Sequence, residues 1–147
     1  MADKLDLTGE IAEAIEGAAL RGSALVLGYV GDDGYAAISF RGSTQVHGPQ
    51  QLAIWSRKAD EGLVKVIEER PKVSLLYYGG ADGPGPKYLS FQGLAHVEPA
   101  ANDEVYAKMI GGERGQDPER EGVAVIVDVE SVFGFGADGP FQLTAGD

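Results

Sequence analysis

The sequence contains no cysteine, two histidines, and only 12 lysines and arginines against 23 aspartates and glutamates in 147 residues. Without cysteine there is no thiol nucleophile, no thiolate-bound zinc or iron–sulfur cluster and no redox-active dithiol, and nothing that a reducing cytosol would disturb. Long apolar runs are also missing. The longest, Val123 to Val127, has five residues, whereas a spanning helix needs about 20, and no basic-then-apolar leader opens the chain. These features predict a cytoplasmic protein with no membrane partner. The formal net charge of −11 sets up a field that repels polyphosphates, so binding nucleic acid would need a local basic stripe. Segments 8–20 and 99–110 are acidic, and no nucleic-acid partner is expected.

The chain is 44% hydrophobic. A globular chain of this length buries about two-thirds of the surface its unfolded form exposes, enough for a core without staples. No repeat, low-complexity stretch or long linker divides it, so 1–147 reads as one domain. The scarce cations are unevenly placed. Between Arg41 and Lys87 lie seven of them (Arg41, Arg57, Lys58, Lys65, Arg70, Lys72, Lys87) and five acids, a local excess of two in an otherwise strongly acidic chain.

Thr8 reads as the N-cap of a helix running to about Leu20 and closed by Gly22. Ala24 to Val30 and Tyr35 to Arg41 read as a hairpin across Gly31-Asp32-Asp33-Gly34; with so few charges it is expected to be largely buried. Gln51 to Ser56 is a third strand, reached through a segment containing Gly48-Pro49 that cannot be regular throughout. Leu63, Val66 and Ile67 form the apolar stripe of a helix that Pro71 ends. Lys72 to Tyr78 is β-branched and aromatic, 79–86 is an irregular loop, and Lys87 to Val97 alternates Leu89, Phe91, Gly93, Ala95 and Val97 against polar neighbours. Pro99 opens another helix carrying Val105, Met109 and Ile110, and 111–122 is turn-rich. Val123 to Val129, Val132 to Phe135 and Phe141 to Thr144 complete the strands. Strands at short intervals without βαβ alternation predict a mainly β (α+β) protein, a small antiparallel barrel of six to seven strands with short flanking helices.

Two clusters carry chemistry. Trp55-Ser56-Arg57-Lys58 stands at a strand end feeding a helix that presents Lys65; amides, a hydroxyl and cations there have the chemistry of a phosphate cradle. The alternative is a polar loop with a tryptophan plugging the barrel. Arg41-Gly42-Ser43-Thr44 brings a strand to a glycine that permits close approach of a planar ligand, or forms only a bulge or tight turn. Gly134 to Gly139 matches G-x-G-x-x-G literally, but Pro140 and a strand follow it rather than a helix, so it reads as a hairpin. His47 and His96 lie far apart and no metal site is expected. No G-x-S-x-G elbow points to a hydrolase.

The run QLAIWSRKADEGLVKVIEERPKVSLLYYGG, followed by YLSFQGLAHVEP, resembles the pyridoxamine 5′-phosphate oxidase-like family of FMN-binding split barrels. The matching features are Trp55-Ser56, the helix around Lys65, Pro71-Lys72-Val73-Ser74-Leu75-Leu76 and Gly93-Leu94-Ala95, with Ser39-Phe40-Arg41-Gly42-Ser43 similar to the family's flavin-facing strand. The resemblance implies a homodimer with FMN at the subunit interface. It further implies that Ser56, Arg57, Lys58 and Lys65 hold the phosphate, that Arg41 and Ser43 lie near the ring, and that Trp55 stacks on or walls the pocket. Authentic pyridoxamine-phosphate oxidases use a C-terminal arginine and histidine at the substrate, whereas nothing after Arg120 here is Lys, Arg or His. The implied activity is therefore an FMN-dependent oxidoreductase of another small molecule, with no assignable catalytic side chain. The alternative is a non-catalytic flavin or deazaflavin binder or carrier.

Overall fold

The computed structural model describes residues 3–146. The chain opens with β1 (Asp3–Lys4), α1 (Glu10–Ile15) and a 3-10 turn at Ala19–Arg21, then β2 (Leu25–Val30), β3 (Ala36–Arg41), β4 (Gln45–Gly48) and β5 (Gln51–Ser56). It continues through α2 (Leu63–Ile67), β6 (Lys72–Tyr78), β7 (Tyr88–Val97), a 3-10 turn at Pro99–Ala101, α3 (Asn102–Lys108), α4 (Gly111–Arg114), β8 (Val123–Gly136) and β9 (Gly139–Thr144). The sheet runs β1-β9-β8-β7-β6-β2-β3, and β5 joins β8 to β4. Every pairing is antiparallel except β1 with β9. No helix among the described residues is long and apolar enough to cross a membrane.

The barrel splits because β8 changes partners along its length. Val123–Asp128 pairs with β5, whereas Ser131–Gly136 pairs with β9, and β7 follows both halves on the other side. The sequence predicts two strands there with a break near Glu130; the structure has one of 14 residues. A register shift between Gln92 and Gly93 lets β7 follow the bend. Gly93 is required at that shift, since a Cβ there would stand 2.4 Å from the Asp128 carbonyl oxygen and 2.9 Å from Val127 Cγ1. Gly93→Ala is expected to lower the unfolding free energy by about 3 kcal/mol, measured as a lower urea midpoint at unchanged slope.

The main core is packed from Leu25, Leu27, Leu52, Ile54, Leu75, Tyr77, Phe91 and Val125, with Ile11 and Ile15 from α1 and Leu63 and Ile67 from α2. A second cluster of Ala53, Trp55, Val105, Met109, Ala124 and Ile126 lies on the opposite face of β5 and β8. That explains why QLAIWS is apolar without alternation. β5 and the first half of β8 are covered on both sides, whereas β6 alternates buried and exposed residues.

Several expectations need correction. The described residues form nine strands, because β4 forms inside 42–50 with a register irregularity at His47, and β1 adds along β9. Thr8 caps nothing. Its amide and hydroxyl donate to Asp6 Oδ1 at 3.0 and 2.6 Å, which holds the Asp6 carboxyl below its ordinary range. α1 is accordingly short, and the chain turns again before Gly22, at φ +79°, ends the 3-10 segment. α4 occupies part of 111–122, and Ile110 is only half-buried.

The hairpin is buried only along β2, whose Leu25 and Leu27 enter the core, and not along β3. Ile38 and Phe40 are 71% and 75% exposed. In register they begin two rows across five strands: Phe40, Val26, Leu76, Ser90, Phe133, and Ile38, Gly28, Ser74, Gln92, Ser131. Tyr78, Tyr88 and Phe135 form a third row on the same face. Apolarity of β3 therefore reports an uncovered outer face rather than a core position.

Candidate functional site

The end of β5 and the end of β3 meet at one cleft of about 470 Å³, within the range typical of small-molecule sites. Its lining includes Tyr29, Phe40, Arg41, Ser56, Arg57, Lys58, Glu61, Asp117 and Glu121. Four of the seven residues predicted from sequence thus come together: Arg41, Ser56, Arg57 and Lys58. Ser43, Trp55 and Lys65 lie outside the lining.

Register explains the meeting. Arg41 is the last residue of β3, opposite Leu25, and Ser56 is the last residue of β5, opposite Val123. Ser43 ties the two ends together. Its hydroxyl accepts the Trp55 amide at 2.9 Å and donates to the Trp55 carbonyl at 3.4 Å, in a buried position. Trp55 itself is turned away from the cleft into the second cluster, edge-on to Tyr106 at 5.3 Å. Tryptophan therefore fills the second cluster rather than plugging the barrel, and the next three residues line a cleft.

The helix contribution is smaller than expected. α2 has five residues, too few peptide dipoles to create a substantial field. Lys65 is exposed on it. The cleft instead depends on side chains. Ser56 Oγ donates to the Lys58 carbonyl at 3.2 Å, and Lys58 Nζ is 3.0 Å from Glu61. Burial lowers the proton affinity of Arg41, the nearby Arg57 charge lowers it further, and Tyr29 opposes both. Arg41 Nε is buried without a hydrogen-bond partner, an arrangement that costs about 1–3 kcal/mol unless something accepts the bond.

Asp117 was invisible as a functional candidate in the sequence. Its Oδ2 accepts the Trp55 indole N–H at 2.8 Å and the Gly122 amide at 2.9 Å, and Oδ1 accepts the Glu121 amide at 3.0 Å. Burial alone would raise this carboxyl; the indole, the two amides and the charge of Arg57 together hold it below the usual range. Asp117 thereby pins the segment after α4 against the end of β5. The approach leaves no room for a side chain at Gly122, where a Cβ would lie 2.3 Å from the Ser56 carbonyl oxygen and 2.9 Å from Arg57 Cα. Asp117-Pro118 is a turn-initiating pair within the turn-rich 111–122 segment, but nothing local points to Trp55 as its partner.

The two histidines lie elsewhere. His96 sits between Glu98 at 3.7 Å and Asp128 at 3.5 Å, and His47 Nδ1 is buried without a partner. Chemically, the cleft offers three cationic side chains, three carboxylates, a hydroxyl and two aromatic rings. That set fits a phosphate attached to a planar group.

No family model matches the chain, and no curated protein does. Solved structures do resemble it. HupZ of Group A Streptococcus is 17% identical with a TM-score of 0.62, the match covering 95% of this chain and 98% of HupZ. A Clostridium acetobutylicum protein related to general stress protein 26, of the pyridoxinephosphate oxidase family, is 14% identical at a TM-score of 0.61, over 85% and 88% of the two chains. An F420 reductase is 19% identical at a TM-score of 0.58, over 81% and 92%. The fold is that of the pyridoxamine 5′-phosphate oxidase-like split barrels.

Proposed function

We propose that this chain is a cytoplasmic, flavin-binding oxidoreductase that holds FMN in the cleft and works as a homodimer on a small-molecule substrate. The observation that carries the reading is the convergence of Arg41, Ser56, Arg57 and Lys58 on one cleft in a chain of net charge −11. Arg41, Arg57 and Lys58 supply charge, and Ser56 supplies a hydroxyl. Tyr29 and Phe40 are the aromatic lining available to a ring. A bound flavin supplies hydride or electron transfer through its ring system, while the protein orients and shields it. Lys65, Ser43 and Trp55 act at one remove in this reading: Ser43 and Trp55 fix the end of β5, and Lys65 adds charge from α2.

The uncovered sheet face supports the dimer. Phe40 belongs both to that face and to the cleft lining, so a second copy seated there would also close the side of the site. The visible absorption spectrum tests the reading. Purified protein, supplied with FMN and desalted, should keep bands near about 370 and 450 nm, and Arg57→Ala should weaken FMN affinity at least tenfold. A colourless protein that releases all FMN would overturn it. The similarity to an F420 reductase supports a second reading, a deazaflavin in the same cleft; uptake of that coenzyme in place of FMN would favour it. Failure of the bound flavin to accept electrons from NADH, NADPH or reduced deazaflavin would make the protein a carrier.

A further inference from the structure

We infer that Glu61 and Glu121, the two exposed carboxylates on the rim of the cleft, restrict it to ligands bearing a single phosphate and turn away polyanions. The inference rests on the reading of the cleft as a phosphate site and deepens it by naming the class of phosphate ligand. Three cations line the cleft, but so do three carboxylates: Glu61, Asp117 and Glu121. The formal balance is zero. Asp117 is occupied by the Trp55 indole and two amides. The other two face solvent. Glu61 already holds Lys58 at 3.0 Å, so an incoming anion must compete for that ammonium. Glu121 forms no ion pair among the described residues, and its charge at the rim is uncompensated.

Repulsion from a fixed carboxylate grows in proportion to the ligand's own charge, whereas directional bonds to Arg41, Arg57 and Ser56 saturate at one phosphate group. A first phosphate therefore gains the bonds and tolerates the rim; each further anionic group meets only the rim. A flavin mononucleotide meets this condition. A pyrophosphate dinucleotide, or a deazaflavin with a polyglutamate tail crossing the rim, does not.

Titration calorimetry with orthophosphate and with tripolyphosphate, at low ionic strength, tests the inference without any flavin. The E61Q/E121Q double variant should bind tripolyphosphate at least tenfold more tightly than the wild type, while the gain for orthophosphate, which reflects mainly the release of Lys58 from Glu61, is at least threefold smaller. Both substitutions lie on the surface and leave the core intact. Equal gains for the two anions, or none, would overturn the selectivity role even if FMN binds the wild type. Absence of heat with either anion in both proteins would overturn the inference, and a parallel FMN titration shows separately whether the flavin reading survives.

Discussion

Asp117→Ala is expected to destabilise the fold by about 3 kcal/mol, since it strands the Trp55 indole N–H and two backbone amides that now share one carboxylate. FMN affinity should fall at least tenfold in the same variant. Releasing Gly122 from the end of β5 removes the support behind Ser56 and Arg57. Asp117→Asn is expected to be milder, at about 1.5 kcal/mol, because an amide keeps one acceptor but presents a donor to another donor. Acid provides an independent check. The folded carboxyl titrates below its ordinary value of 3.8, so its contribution is complete above about pH 4 and disappears as pH falls through the lowered folded value. Urea midpoints measured from pH 7 to pH 2.5 should therefore fall more steeply for the wild type than for Asp117→Ala at the acid end. Parallel curves would show that the carboxylate is not the group that matters.

The comparison of β5 with β8 shows how far the sequence could be read. β5 and β6 begin and end where the apolar and β-branched runs do, and Pro71 stops α2. In β7 the buried positions follow the alternation of Leu89, Phe91, Gly93 and Ala95. Local patterning was sufficient wherever strand and run coincide. It failed where a partner decides the outcome. Asp128 and Glu130 look like a break in β8, but β7 supplies ladder partners through the bulge, so the strand continues. Gln45 to Gly48 has weak propensity and becomes strand only because β5 lies beside it.

The same distinction runs through the site. Ser56, Arg57 and Lys58 are adjacent in sequence, and chain continuity alone keeps them together. Arg41 joined them by the family's order of elements. Asp117 is 62 residues from Trp55, and a hydrogen bond across that separation leaves no periodic trace. The apolar residues of β3 misled for a related reason. Hydrophobicity indicates that a surface is to be covered, and is silent on whether the cover comes from this chain or from another.

Ile38→Glu should convert a dimer to a monomer. Ile38 lies on the uncovered face, opposite Gly28, and outside the lining of the candidate cleft. A stable interface of standard size buries about 800 Å² per partner, and a carboxylate placed within it loses hydration. Such a substitution is expected to raise the dimer dissociation constant at least 100-fold, which corresponds to about 2.7 kcal/mol. The folded monomer itself should be unaffected, because Ile38 contributes nothing to either core cluster. Sedimentation velocity at matched concentrations reads the first effect and urea unfolding the second. Flavin retention reads a third. Phe40 links the face to the cleft, so the monomeric variant should release FMN on desalting even though every phosphate-facing residue is intact. Lys72, the exposed and charged first residue of β6, provides the control, and Lys72→Ala should leave both dimer and flavin in place. A wild-type protein that sediments as a monomer and still holds flavin would instead show that one copy completes the site, leaving the aromatic rows of β6, β7 and β8 for a different partner.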